Sequence, residues 1–417
     1  MVELHSRPSL TETLRVINAL IWAVKREIIV PLLLSIVASA CGSQTATPAA
    51  TTSKPSGTSA VVSTSAGSGQ GQTAPLAVMV SGLDTFPRPP IYTVSLVDLS
   101  GKVVRAATAA NRSWSEIHFS NDGYGHPVSL PQVSASNNRL YYLDGEATVR
   151  YLAPDGASGV AHTLPVGPLS HAVFAVSPDD QRIAVTLVNY PSVSTGSIEM
   201  SLYVEDLSGG GNRVDLFDST SVLEWPVGWH AGQLVIAVAP APYGQNPCDI
   251  CAYRSPAEYH VADPATGKRT ATLCPVASGG SSIALPSRGG IECEVRGNTA
   301  SHQSLLESWD GATHSVPSDL CGIGGPVSPD GQETSTLWAP QLPDGGCTHA
   351  ATITLIDHSG KRTATAVPGT PQEWIDSQHL GFQTPEDKWA ILDLSSSGTM
   401  VIDAPGALVG VLPGNLG

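Results

Sequence analysis

Six cysteines in the second half of the chain are the residues with the clearest capacity for chemistry. They are Cys248, Cys251, Cys274, Cys293, Cys321 and Cys347. Thiols can pair as disulfides, exchange disulfides with a partner, or bind zinc as thiolates. An even number of cysteines in an exported chain favours structural disulfides. We therefore predict that all six are disulfide-bonded.

The segment Cys248-Asp-Ile-Cys251 allows two sharper alternatives. A Cys-x-x-Cys motif can be redox-active, but here it lacks the strand-to-helix context that activates such thiols. The pair could also hold zinc together with Cys274 or His260, although no second paired ligand stands at the usual spacing. Structural disulfides remain the favoured interpretation.

Motifs of other catalytic chemistries do not occur in the sequence. The chain contains no Gly-x-Ser-x-Gly elbow, His-Glu-x-x-His pair, phosphate loop or dinucleotide fingerprint. Its twelve histidines are scattered, and we interpret single ones such as His171 and His230 as structural. The net charge of −15 disfavours nucleic acid as a partner, because phosphate binding requires clustered Lys and Arg. We predict no catalytic, metal-binding or cofactor-binding residue.

Aspartates that end apolar runs recur along the chain, each followed by small turn residues. They are Asp98, Asp155, Asp206, Asp263, Asp310, Asp357 and Asp393. An Asp side chain can accept hydrogen bonds from the next backbone N–H groups, which stabilises a turn. We therefore interpret these residues as turn formers. Their seven copies, at roughly the spacing of a four-stranded blade, indicate a seven-bladed β-propeller.

A second turn signal has the sequence Ser-Pro-Asp. It occurs in FAVSPDDQRIAV, from Phe174, and in GPVSPDGQETSTLW, from Gly325, with Asp179 and Asp330 as further turn residues. These segments resemble the SPDG repeats of TolB-like β-propellers in exported bacterial proteins. The resemblance covers residues 75–417 as a repeat pattern and implies the architecture, but propellers host many unrelated functions.

The predicted fold class is all-β, with seven blades of four antiparallel strands. In the third blade we expect strands at 172–177, 182–188, 201–207 and 213–218, counted from the ring centre outwards. The first blade has only three strands near the start of the repeat, at 76–81, 92–99 and 103–107. We expect residues 406–414 to supply the missing innermost strand and to close the ring without a free edge. Repeat register then favours the pairs Cys274–Cys293, Cys321–Cys347 and Cys248–Cys251.

The N-terminal region has the layout of an export signal. Lys25 and Arg26 precede an apolar run, and Ala38-Ser39-Ala40-Cys41 resembles the lipobox of bacterial lipoproteins. The resemblance implies that Cys41 is lipidated and anchors the protein outside the cytoplasm; an uncleaved membrane-anchor helix is the alternative. We expect residues 1–41 to form this signal, with Val24 as a possible true start. We expect residues 42–74 to form a disordered tether and residues 75–417 the propeller.

Long connections in the repeat point to a binding face. We expect them at 83–90, 109–130, 189–197, 239–258 and 339–350, all at one end of the ring. Candidate binding residues there are Tyr190, Tyr243, Tyr253, Arg254 and Trp338. We predict a monomeric binding or scaffolding module whose partner is an envelope protein, a glycan or a small molecule. One alternative is a propeller enzyme, similar to a glycosidase or lyase, with carboxylates around the central channel. Another is a structural envelope protein without a small-molecule site, which predicts a broad apolar patch on one face.

Overall fold

A computed structural model describes most of the chain beyond residue 73. The described residues are 74–83, 89–112, 133–168, 170–192, 197–240, 258–275, 286–295, 303–317, 322–339, 351–414 and 416. The export signal, Cys41 and the tether lie outside them. Within these residues, no helix is long and apolar enough to cross a membrane.

The described residues form 27 strands. In chain order these are β1 (Leu76–Ser81), β2 (Ile91–Val97), β3 (Val103–Ala110), β4 (Val133–Ala135), β5 (Leu140–Asp144), β6 (Thr148–Leu152), β7 (Ser158–Thr163), β8 (Ser170–Val176), β9 (Arg182–Ser192), β10 (Ser197–Asp206), β11 (Val214–Ser219), β12 (Val222–His230), β13 (Gln233–Pro240) and β14 (Glu258–Ala262). They continue with β15 (Arg269–Leu273), β16 (Ile291–Val295), β17 (Gln303–Glu307), β18 (Thr313–Pro317), β19 (Gly322–Ile323), β20 (Glu333–Trp338), β21 (Thr352–Asp357), β22 (Arg362–Ala364), β23 (Thr370–Trp374), β24 (His379–Gln383), β25 (Trp389–Asp393), β26 (Gly398–Val401) and β27 (Ala407–Leu412).

These strands form seven antiparallel sheets, which are the blades of a propeller. Blade 1 has the order β27-β1-β2-β3, and blades 2, 3 and 4 follow as β4–β7, β8–β11 and β12–β15. Blade 5 has three strands among the described residues, β16–β18, and blades 6 and 7 are β19–β22 and β23–β26. Strands β4, β8, β12, β23 and β27 contact one another between neighbouring sheets, which places them around the central channel. The predicted fold class is confirmed, and the strands predicted for blade 3 match within a few residues.

The ring closes as the sequence predicted. Strand β27 pairs with β1 in antiparallel register, with Val411 opposite Ala77 and Leu408 opposite Met79. The register shifts between Val78 and Met79. Blade 1 therefore combines one strand from the end of the sequence with three from the beginning. This pairing covers an edge of β1 that would otherwise be exposed.

The repeated aspartates form turns. The Oδ1 atoms of Asp98, Asp357 and Asp393 accept the backbone N–H two residues later at 2.8–2.9 Å. The two Ser-Pro-Asp turns share one hydrogen bond with each other. The Ser177 Oγ accepts the Arg182 N–H at 2.8 Å, and the Ser328 Oγ accepts the Glu333 N–H at 2.9 Å. Such bonds satisfy backbone groups where the chain reverses.

The core consists of apolar layers between neighbouring blades. Trp374 of blade 7 is 1% exposed, and its Nε1–H donates to the Pro326 carbonyl of blade 6 at 3.0 Å. Trp225 of blade 4 is buried in a cluster that contains Tyr259 and Trp309. Both residues pack between blades, as the sequence predicted.

Candidate functional site

The long connections lie at one end of the strands. In antiparallel blades, the connections between second and third strands share an end of the ring with those between blades. Long ones among them comprise residues 82–90, 111–132, 241–257 and 339–351, and the stretch 274–290 joins blade 4 to blade 5. At the opposite end, the connections between described strands are shorter, except for 324–332, which is as long as 82–90. We call the first end the long-loop end and the opposite end the short-turn end.

One predicted long connection is shorter than expected. Strand β9 extends to Ser192 and β10 begins at Ser197, so most of the predicted loop at 189–197 is strand. Continued pairing of β9 with β10 satisfies its backbone groups, with Asn189 opposite Glu199. The connection itself is 193–196.

The structure describes two of the five predicted binding residues. Tyr190 lies in β9, at the long-loop end. Trp338 ends β20 and is half-buried, with the Arg362 guanidinium 5.8 Å from its ring centroid. Tyr243, Tyr253 and Arg254 lie outside the described residues, as do Cys248, Cys251, Cys321 and Cys347.

A buried charged cluster lies where connection 241–257 begins and ends. In blade 4, Val238 of β13 pairs with Glu224 of β12 on one side and with Glu258 of β14 on the other. The two glutamates therefore lie on either side of Val238 in the sheet. The His260 Nε2 lies 2.6 Å from a Glu258 oxygen, and its Nδ1 lies 3.7 Å from a Glu224 oxygen. The side chains of Glu224 and His260 are 9% and 4% exposed, whereas that of Glu258 is 27% exposed.

Burial controls the protonation of this cluster. Desolvation raises the pKa of Glu224 to about 7, against the opposing charge of Arg269. Desolvation also lowers the pKa of His260, although its hydrogen bond to Glu258 opposes this shift. The sequence did not single out Glu224, because a Glu in a strand is usually a solvent-facing residue. The structure shows that the Glu224 side chain is buried, and this burial is the cause of its raised pKa.

The disulfide Cys274–Cys293 joins blade 4 to blade 5, as the sequence predicted. The zinc alternative that used Cys274 is wrong here, because a disulfide sulfur is not a thiolate ligand. The Cys274 N–H donates to a Glu307 oxygen at 2.6 Å, and desolvation raises the pKa of Glu307. The acid therefore supports the backbone beside the disulfide.

The central channel contains a cavity of about 130 Å³ near the short-turn end. Glu373 and Arg288 line it among apolar residues of the inner strands. Glu373 lines this cavity, and desolvation raises its pKa to about 8, against the charge of Arg288. Arg288 donates from Nη1 to the Ile375 carbonyl at 3.1 Å, while its buried Nε has no partner among the residues that the structure describes.

The segment after β27 closes one side of this cavity. Gly414 and Leu416 both line it. The Gly414 N–H donates to the Ser136 carbonyl of blade 2, and the Leu416 N–H donates to the Trp229 carbonyl of blade 4, each at 2.8 Å. The His230 Nδ1–H donates to the Leu416 carbonyl at 2.5 Å, which gives His230 the structural role expected of it.

Comparisons with known proteins give no family assignment. No protein-family model and no curated protein sequence matches the chain. Among solved structures, an oligogalacturonate lyase in complex with manganese is similar over 73% of this chain and 82% of its own, with 10% identity and a TM-score of 0.44. Apo AztD from Citrobacter koseri is similar over 81% and 97%, with 14% identity and a TM-score of 0.37.

An acylaminoacyl peptidase from Pyrococcus horikoshii is similar over 79% of this chain, with 10% identity and a TM-score of 0.41. The match covers 53% of the peptidase, so this chain spans about half of that enzyme's length. The strand order, rather than these similarities, establishes the seven-bladed fold.

Proposed function

We propose that this protein is a binding module of the bacterial cell envelope, anchored by a lipid on Cys41, whose ligand binds at the long-loop end. The observation that carries the proposal is the asymmetry of the ring, since its longest connections share one end. Ligands of propellers and similar scaffolds bind at differentiated loops held by a rigid frame. The cluster of Glu224, Glu258 and His260 adds polar groups at this end.

The enzyme alternative has less support. A glycosidase or lyase of the expected kind needs two carboxylates that flank the reacting bond. Among the described residues that line the channel cavity, Glu373 is the single carboxylate. A raised pKa alone does not replace the missing partner acid. We therefore propose binding rather than catalysis.

Replacing connection 241–257 tests the binding face. We expect that grafting the short connection Gly145-Glu146-Ala147 of blade 2 in its place will abolish binding, because it joins the equivalent strands without the long loop. Binding would be measured by biolayer interferometry of the full-length protein against immobilised extracellular glycans and purified envelope proteins. The matched control exchanges the short turn at 394–397 for the turn at 358–361 of blade 6. A loss of binding in the control but not in the graft would contradict the proposed face.

Intact mass of the membrane-extracted protein tests the anchor and the compartment. We expect a chain that begins at Cys41 and carries two or three acyl groups, because the lipobox-like sequence directs cleavage before the lipidated cysteine. Reduction should add six hydrogens, two for each of three predicted disulfides. An unmodified chain that retains Met1, with a free thiol at Cys41 and at the other six cysteines, would contradict both lipid anchoring and export.

A further inference from the structure

The cation of the channel cavity, Arg288, projects from a turn that is fixed by its packing against blade 6. The Ser287 Oγ accepts the Val327 N–H of blade 6 at 2.9 Å. Gly289 packs so closely against the same blade that a Cβ there would lie 1.6 Å from the Ser328 carbonyl oxygen. The turn therefore holds the backbone from which Arg288 reaches the cavity.

One edge of this guanidinium has no acceptor among the residues that the structure describes. Nη1 donates to the Ile375 carbonyl at 3.1 Å, whereas Nε is buried without a partner and Nη2 donates to no described residue. The Nε–H and one Nη2–H are parallel in the guanidinium plane, and this edge can bind a carboxylate through two hydrogen bonds. Because a buried donor without an acceptor is costly, the edge favours a ligand with two adjacent oxygen atoms.

No carboxylate in the described part of the chain pairs directly with Arg288. Glu373 and Asp376 favour its charged form through space, but neither forms an ion pair with it. Asp376 is engaged elsewhere, because its carboxylate accepts the His379 N–H at 2.8 Å and lies 2.9 Å from the His379 Nδ1. Glu373 lines the cavity, and since desolvation raises its pKa to about 8, it is mostly protonated at neutral pH. The cavity therefore combines an unpaired cation with a carboxyl group that can donate a hydrogen bond.

The remainder of the cavity wall is mainly apolar and limits the size of a ligand. Phe174, Trp229, Val411 and Leu416 are among its buried lining residues, and the volume is about 130 Å³. Cavities of about 150 Å³ accept molecules the size of benzene, so a ligand of about five non-hydrogen atoms fits here. The part of such a ligand that lies away from Arg288 must be apolar, because polar groups there would lose their hydrogen bonds to water.

We propose that the channel cavity binds a small aliphatic monocarboxylate of about the size of propionate. Its two oxygen atoms accept from the Nε–H and Nη2–H of Arg288, and the Glu373 carboxyl group donates to one of them. Its alkyl group contacts the apolar wall. This ligand supplies the anion that Arg288 lacks and places no polar group in the apolar part of the cavity. The site lies away from the long-loop end and does not depend on the proposed function.

Isothermal titration calorimetry of the full-length protein at neutral pH, with sodium propionate as the titrant, tests this site. We expect propionate to bind, and we expect about tenfold or weaker binding of propionamide, which has a similar shape without the charge. Arg288→Lys should weaken propionate binding by about tenfold or more, because an ammonium group cannot present two parallel donors. The matched control is Arg213→Lys, at an arginine that pairs with Asp215 next to the outermost strand of blade 3. This control should bind as the wild type does, and unfolding curves of both variants would verify that they fold.

The pH dependence of binding separates the role of Glu373 from that of Arg288. Propionate binding should weaken as the pH rises through about 8, because Glu373 then becomes a carboxylate beside the bound anion. Arg288 is the other ionisable group among the described lining residues, and it keeps its charge throughout. Glu373→Gln retains an uncharged donor, so its affinity for propionate should change little between about pH 6 and pH 9.

Four results would overturn the proposal. They are no binding of propionate, equal effects of Arg288→Lys and Arg213→Lys, tighter binding of alanine than of propionate, and tighter binding of inorganic phosphate than of propionate. The graft at 241–257 should leave propionate binding unchanged, because that connection lies at the other end of the ring. Failure of the long-loop face and failure of the channel site are therefore distinguishable.

Discussion

Val411→Asp should destabilise the protein by about 4 kcal/mol, because it places a carboxylate in the apolar layer that closes the ring. Val411 is 4% exposed and belongs to a cluster with Ala77, Met79 and Ile391, which joins blade 7 to blade 1. A buried carboxylate there has no cationic partner in the cluster. The change would also weaken the pairing of β27 with β1. Urea unfolding followed by tryptophan fluorescence measures the effect.

The matched control for this prediction is Val409→Asp, in the same strand. Val409 lies at the register shift, since Gly410 pairs with Val78 and Leu408 pairs with Met79 while Val409 has no opposite residue. It is 43% exposed, so a carboxylate there stays hydrated and should cost less than about 1 kcal/mol. Equal destabilisation by the two variants would show that β27 does not close the ring as described.

The protein should be most stable in mildly acidic solution and should lose stability as the pH rises to 8. Desolvation raises the pKa of Glu224 to about 7 and that of Glu373 to about 8, and it also raises the pKa of Glu292 and Glu307. Between their ordinary pKa and these values, the folded state holds more protons than the unfolded state. The free energy of unfolding therefore falls with rising pH across this window. For Glu224 alone the loss is about 3 kcal/mol at most.

Other groups set the acidic limit of this optimum. Hydrogen bonds from their own turns lower the pKa of Asp98, Asp357 and Asp393, so the stability that these residues contribute is lost as the pH falls below about 4. The lowered pKa of His260 also disfavours the folded state when the pH falls below its unfolded value. We therefore expect a maximum near about pH 4 to 5, between the loss caused by the turn aspartates at lower pH and the loss caused by the acids of raised pKa at higher pH.

Isosteric variants test which acids cause the free energy of unfolding to fall as the pH rises. Glu224→Gln and Glu373→Gln imitate the protonated acid, so each should flatten the decline between about pH 5 and pH 8 in urea unfolding at fixed ionic strength. Glu386→Gln is the control, because Glu386 is exposed in the turn before β25. Should the control flatten the curve as much as Glu224→Gln and Glu373→Gln do, general charge repulsion would explain the decline instead.

The blade pattern could be predicted from the sequence because its cause is local. Asp98 and Asp393 bond to N–H groups two residues away, and Ser177 bonds to one five residues away. Contacts this short depend on residue type and spacing, which any reader of the sequence can see. Ring closure followed from counting strands, because the first blade has only three strands around Asp98 and one place remains for a fourth.

The candidate sites could be predicted only in part. The sequence indicated which end of the ring has long connections, and it predicted the pair Cys274–Cys293 from repeat register. The predicted connection at 189–197 was too long, because the alternation of apolar and polar residues does not reveal how far β9 and β10 continue to pair. Nothing in the sequence marked the channel acid Glu373 or the contact between His162 and Glu205.

The sequence by itself determined the turns, the number of blades and the closing strand, since these depend on short-range hydrogen bonds and on repeat spacing. Only the tertiary structure decided which charged residues are buried. His162 and Glu205 are 43 positions apart and meet because blades 2 and 3 are neighbours in the ring. Glu224 and Glu386 are the same residue type, yet one is desolvated by an adjacent blade and the other is exposed. Desolvation depends on all surrounding atoms, and most of those atoms come from distant parts of the chain.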